Sequence, residues 1–120
     1  MVLNIEENVR FYCYNEGVDM RKGIHSLYGI IRTECEVSAL DGDAFVFIGT
    51  NLKSVKILRW HREGFLLYHK KLELGRYNIP QVCCNESFFE LKRDQINKLI
   101  ASVKHRSAVN ELKQKIMLTL

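Results

Sequence analysis

The chain has 120 residues, 47% of them hydrophobic and 27% charged, with a formal net charge of +4 at pH 7. That length fits one domain whose folding hides roughly two-thirds of the unfolded surface, so no disulfide or metal staple is required. One proline and seven glycines exclude a long disordered linker, and no apolar run approaches the ~20 residues needed to span a bilayer.

No charged-then-apolar leader opens the sequence, so neither secretion nor a membrane span is indicated. Cys13, Cys35, Cys83 and Cys84 show no repeated CxxC spacing, and adjacent Cys83-Cys84 suit a tetrahedral metal poorly. A reduced, cytoplasmic protein is the expectation. The pI near 8.9 favours an acidic partner, though mildly.

Residues 1–8 carry no strong period. Val9–Tyr14 reads as a short strand ended by Asn15-Glu16-Gly17, and a helix is expected to start at Asp19 as its N-cap. Met20, Ile24, Leu27 and Ile31 then form one apolar stripe, with Arg21, His25 and Arg32 opposite. Arg21 and Lys22 would lie in the first turn, where the helix dipole disfavours cations unless an external anion meets them. Extension of both side chains into water is the alternative. Gly23 and Gly29 lower helix stability by up to about 1 kcal/mol each relative to alanine, which points to close packing against a sheet. Asp41-Gly42-Asp43 reads as a plain turn, since nothing nearby completes a calcium-loop spacing.

From Gly42 to Pro80 three strands follow one another: Ala44–Ile48, Val55–Trp60 and Phe65–Leu72. The turns between them, Gly49-Thr50-Asn51 and Arg62-Glu63-Gly64, each offer a residue that tolerates positive φ. The uninterrupted apolar run Ala44–Ile48 predicts a central strand covered on both faces. Folding at the second turn sets Trp60 beside Phe65, Leu58 beside Leu67, Lys56 beside His69 and Lys53 near Lys71, within one residue. One end of the hairpin is then apolar and the other basic. Lys53, Lys56, Lys70 and Lys71 are an anion-binding candidate, although lysines on a strand edge more often form a solvated edge that discourages aggregation.

Pro80 leaves the sheet, and Phe88–Leu91 suits one more edge strand. A second helix is expected over Arg93–Lys104, with Ile96, Leu99, Ile100 and Val103 on one face. Ser107–Leu120 again has helical period at Val109, Leu112 and Ile116. The expected architecture is α+β: an antiparallel β-meander of about four to five strands packed with two to three helices. Residues 1–106 form the domain and 107–120 a C-terminal helical extension that could mediate homo-oligomerisation.

His25, His61, His69 and His105 form no HExxH or other paired ligand spacing, and no GxSxG elbow or phosphate-cradling glycine loop is present. No enzyme, cofactor or metal site is therefore expected. A minimal metal-dependent nuclease through Asp41 or Asp43 is kept only as a check.

Asp19-Met20-Arg21-Lys22-Gly23-Ile24, Ala44-Phe45-Val46-Phe47, Leu58-Arg59-Trp60, Gly64-Phe65 and Lys71-Leu72-Glu73-Leu74-Gly75-Arg76-Tyr77 occur here in the order in which a known family carries them. Over about residues 9–105 the chain closely resembles the TnpB-type accessory protein of bacterial insertion sequences of the family numbered sixty-six. The resemblance implies a small protein encoded beside a separate DDE transposase, needed for efficient transposition and with no catalytic role established. The sequence departs from the pattern in three places. The first hairpin turn, Ile48–Lys53, lacks the family's arginines; Lys92 replaces a serine or threonine helix cap, a change of about 1 kcal/mol; and Ser107–Leu120 lies beyond the match.

The leading expectation is a non-enzymatic accessory protein that contacts transposon-end DNA phosphates through Arg21, Lys22, Lys53, Lys56, Lys70, Lys71 and Arg76. The alternative is a protein-interaction module that binds the transposase or another accessory subunit, without DNA contact, through Tyr68, Tyr77 or the Ile116 face.

Overall fold

The computed structural model describes residues 8–78 and 86–101. Five strands and two helices run in the order β1 (Phe11–Tyr14), α1 (Ile24–Glu34), β2 (Ala44–Ile48), β3 (Ser54–His61), β4 (Gly64–Lys71), β5 (Phe88–Leu91) and α2 (Arg93–Ala101). The strands form one sheet of order β4-β3-β2-β1-β5.

The fold is α+β, but a meander describes only half of the sheet. β2, β3 and β4 are successive antiparallel hairpins, whereas β1 pairs with β2 in parallel, Phe11 opposite Ala44 and Cys13 opposite Val46. The reason lies in the connection. Between β1 and β2 the chain crosses over through α1 and re-enters the sheet from the same end, which a tight turn cannot do. β5 then closes the other edge antiparallel to β1, with Tyr12 opposite Glu90.

Both faces of the sheet are covered, as the unbroken apolar run of β2 predicts: all five of its residues are buried. Alternation along the strands sorts the core into two layers. On one face Phe45, Phe47, Leu58, Tyr14 and Phe88 pack with Leu27 and Ile31 of α1. On the other, Phe11, Cys13, Val46, Ile57 and Phe89 pack with Ile96 and Leu99 of α2. Burial pushes the Cys13 thiol up to about 12, so it is an inert core residue. Cys13 and Cys35 are free thiols.

The β3–β4 register matches the expected pairs Trp60 with Phe65, Leu58 with Leu67 and Lys56 with His69, and Lys71 stands opposite Ser54, one residue from Lys53. The turn chemistry differs. Arg62 and Glu63, not Gly64, carry positive φ (47° and 68°), because His61 and Gly64 pair directly and a two-residue type I′ turn has left-handed backbone at both central positions. In the first hairpin the left-handed residue is Leu52 (φ 62°).

α1 begins four residues later than Met20, with Gly23 as its N-cap. Asp19 is drawn elsewhere: Val18 bridges to Gly49 in parallel, extending the β1–β2 pairing and keeping residues 18–22 as a loop. Close packing does not explain the two glycines, since among the described residues nothing beyond the adjoining chain and the helix's own backbone lies within 4 Å of a Cβ built at Gly23 or Gly29. Gly29 sits mid-helix on an exposed face. Gly29→Ala is therefore expected to stabilise the protein by about 0.5–1 kcal/mol, read as a thermal midpoint about 2–8 °C higher; an unchanged or lower midpoint would refute it.

At α2, Lys92 leaves the side-chain half of a capping box unfilled, yet the other half is made: the Lys92 N–H donates to Gln95 Oε1 at 2.8 Å. The C-terminal part of this helix expectation, the domain boundary at 106 and the helical period of 107–120 lie outside the described residues, as do Cys83, Cys84 and His105.

Candidate functional site

Lys56 lies in a strand flanked by neighbours on both sides and is only 6% exposed. A buried ammonium requires acceptors, and its Nζ donates to the carbonyl oxygens of Met20 (2.7 Å) and Lys22 (2.8 Å). Among the described residues no carboxylate pairs with it. This side chain pins the loop Val18–Lys22 across the end of the sheet. A second tether is backbone: Val18 N–H donates to Ile48 C=O (2.9 Å) and Thr50 N–H to Val18 C=O (3.2 Å). The approach is close enough that a Cβ at Gly17 would stand 3.0 Å from Thr50 Cα, so glycine is needed there.

Within the loop Asp19 acts as a local organiser. Its Oδ1 accepts the Arg21 N–H at 2.9 Å, and both its oxygens take the Arg21 guanidinium, the shortest bond being 2.7 Å. The Arg21 guanidinium and then its backbone N–H hold the carboxyl down at about 2. This interaction is fully present above the ordinary carboxylate range and is lost as pH falls through about 2, so it is intact at neutral pH. Both groups are exposed, and water screens the pair.

Between this loop, the turn Thr50-Asn51 and the end of β4 runs an open groove of about 650 Å³. Its lining brings together Asp19, Arg21, Ser54, His69 and Lys71, with the Lys56 ammonium beneath the loop. His69 and Lys71 stand opposite Lys56 and Ser54, so all four share the α1 face. Partial burial, then Lys56 and Lys71, lower the pKa of the His69 imidazole from its ordinary value. The groove carries two cations, Arg21 from the loop and Lys71 from β4, and one carboxylate already engaged by Arg21.

The seven residues singled out from the sequence thus separate. Arg21 and Lys71 line the groove, and exposed Lys22 flanks it on the same loop. Lys56 is an internal anchor and presents no charge to a ligand's surface. Lys70 projects on the α2 face, opposite Val55. Lys53 is half-buried at the hairpin turn, where its carbonyl accepts the Leu72 N–H at 2.6 Å. Arg76 is exposed beyond Gly75, which has φ 78°. Tyr77, expected as a partner-facing side chain, is 2% exposed in the α2-face core, because its N–H donates to Leu52 C=O and turns the chain inward.

His69, Asp19 and Ser54 were not foreseen as site residues. Only His69 had a usable signal, its cross-strand pairing with Lys56. Arg59 is a second buried cation (7% exposed) whose Nε donates to Gly42 C=O at 3.1 Å. Asp43 Oδ1 accepts the Arg10 N–H at 3.1 Å, tying the start of β2 to the residue before β1. Among the described residues no three His, Cys, Asp or Glu side chains gather to hold a metal ion, and no helix is long and apolar enough to cross a membrane.

Charge is distributed unevenly over the molecule. A smaller groove of about 360 Å³ is lined by Glu34, Glu36 and Glu86 with Tyr12 and Ser87. Glu34 is fixed there by the Tyr14 hydroxyl (2.9 Å) and the Ser87 hydroxyl (3.2 Å). Acid and base therefore occupy separate grooves.

The family model described as IS66 Orf2-like protein matches residues 9–110, a span that includes every element of the sheet, both helices and the whole basic groove. The chain belongs to the IS66 Orf2-like family. Membership suggests an accessory role in an insertion sequence. Two curated relatives of this IS66 Orf2-like protein come from Sinorhizobium fredii (strain NBRC 101917 / NGR234). One, named Uncharacterized protein y4hO, is 32% identical over 74 residues, covering 62% of this chain and 64% of its own. The other, Uncharacterized protein y4jC, is 23% identical over 95 residues, covering 79% and 80%. The chain thus spans slightly less than two-thirds of the first relative's length. No solved structure matches it.

Proposed function

We propose that this IS66 Orf2-like protein is a non-enzymatic accessory factor of transposition that assists the transposase of its element by contacting the phosphates of transposon-end DNA. The observation that carries the reading is the groove in which Arg21 and Lys71 converge, on a loop held in place by Lys56. A site assembled from three chain segments by a buried cation differs from lysines scattered along an edge. The family supports the accessory role, and the net charge of +4 supports an acidic partner. Phosphate contacts would position the protein without reading sequence.

The test is fluorescence anisotropy with duplex carrying the element's terminal repeat and with a scrambled duplex, over a salt series. Binding to both is expected, with affinity falling by a log–log slope near −0.9 per phosphate contact. Lys71→Ala is expected to flatten that slope by about 0.9. Lys70→Ala reports separately on the α2 face. A slope unmoved by Lys71→Ala would remove the groove from the contact, and absence of binding at low salt would leave the transposase as the partner.

A further inference from the structure

We propose that the basic groove seats one phosphodiester of the bound nucleic acid beside His69, and that His69 takes up a proton as the phosphate arrives. This deepens the DNA-contact reading and rests on it. The argument starts from charge. Facing His69 are Lys56 from β3, Lys71 from its own strand, and Arg21 and Asp19 from the loop. The carboxylate of Asp19 is bonded to Arg21 through both oxygens and is not turned to the histidine's service. Among the described residues the Lys56 ammonium is held by the Met20 and Lys22 carbonyls and no carboxylate pairs with it beside the imidazole.

In the unliganded protein desolvation, then Lys56 and Lys71, favour the neutral ring. An anion in the groove reverses the balance: it neutralises the surrounding field and accepts a hydrogen bond that the protonated ring donates better than the neutral one. Ser54, opposite Lys71 at the floor, adds a hydroxyl donor. The Asn51 carboxamide accepts from Lys53 N–H through Oδ1 (3.0 Å), which leaves its NH₂ to donate into the same groove. One small anion with several acceptor oxygens matches this set of donors. Because the bound state holds more protons than the free state over the pH range between the two His69 pKa values, affinity rises as pH falls through that range.

Two measurements test this on the full chain. The first is anisotropy with duplex DNA at fixed salt from pH 8 to pH 5.5, for the native protein and for His69→Gln. Native affinity is expected to rise more steeply on acidification than that of the variant, by at most ~10-fold per pH unit for one proton, while both retain salt-dependent binding. The second follows the His69 ring by NMR through a pH titration with and without inorganic phosphate, which is expected to raise its pKa. Equal pH dependence in the two proteins, with salt-dependent binding intact, would overturn the proton uptake and leave the DNA-contact reading standing. No duplex binding, together with a phosphate-raised His69 pKa, would overturn the nucleic-acid source in favour of free phosphate. If the two proteins share the same pH dependence and inorganic phosphate leaves the His69 pKa unmoved, the site itself is overturned.

Discussion

Lys56→Met is expected to lower stability by about 2 kcal/mol and to weaken DNA binding together. Methionine keeps the length of the side chain but removes the donor for the Met20 and Lys22 carbonyls. Hydrogen bonds to a charged group contribute roughly 1.5–3 kcal/mol each, and a buried acceptor left unpaired adds its own penalty. Against this, the variant no longer has to bury an ammonium, and the loop carbonyls lie near the surface, where water can replace the lost donor. The net loss is therefore set well below the sum of the two bonds. The structural effect is local: the loop keeps its Val18 tether and loses its hold at residues 20–22. A urea midpoint that falls with unchanged m-value, alongside a flatter salt slope for DNA, is the expected pair of results. A variant with native midpoint and native slope would show that Lys56 does not hold the loop.

Phe47→Ala should be the most damaging single substitution in the α1-face core. Phe47 is 0% exposed, and its ring lies 5.9 Å from those of Tyr14 and Phe88, edge-on to the latter. Tyr14 and Phe88 also meet each other at 5.0 Å. Three strands, β1, β2 and β5, thus converge on one aromatic cluster, and the truncation leaves a cavity that backbone in the middle of a sheet cannot close. The expected loss is roughly 3–5 kcal/mol, a large part of the ~5–15 kcal/mol typical of a whole domain. Leu66→Ala on the edge strand, where the side chain is 39% exposed, should change stability by less than about 1 kcal/mol. Chemical denaturation of both variants checks the contrast, and a Phe47→Ala loss no larger than that of Leu66→Ala would contradict the packing described here.

What could be read from the chain followed from local pattern. The unbroken Ala44–Ile48 run fixed a central strand because only a strand with neighbours and covered faces is apolar at every position. The hairpin register followed from turn length, even though Arg62 and Glu63 rather than Gly64 took the left-handed backbone. Non-local choices were illegible. Nothing in Phe11–Tyr14 says that it will pair in parallel with Ala44–Val46, because that depends on where α1 returns the chain. Asp19 is a sound N-cap by residue type, but the Val18–Gly49 bridge and the Lys56 anchor outweigh a preference of about 1 kcal/mol. Lys56 itself looked like Lys71, a lysine on a strand with a polar neighbour nearby. Its burial follows from β3 being an inner strand between β2 and β4, where a side chain on either face meets protein.

The placement of Lys70 and Lys71 on opposite faces of β4 constrains the shape of any ligand that touches both. Over the breadth of a domain this size duplex DNA is a straight rod, since its persistence length is ≈ 150 base pairs. A rod laid flat along the α1 side of the sheet would pass one lysine and miss the other. Only an axis running across the outer margin of β4, with the strand wedged against the helix like a keel, brings both ammonium groups to one backbone.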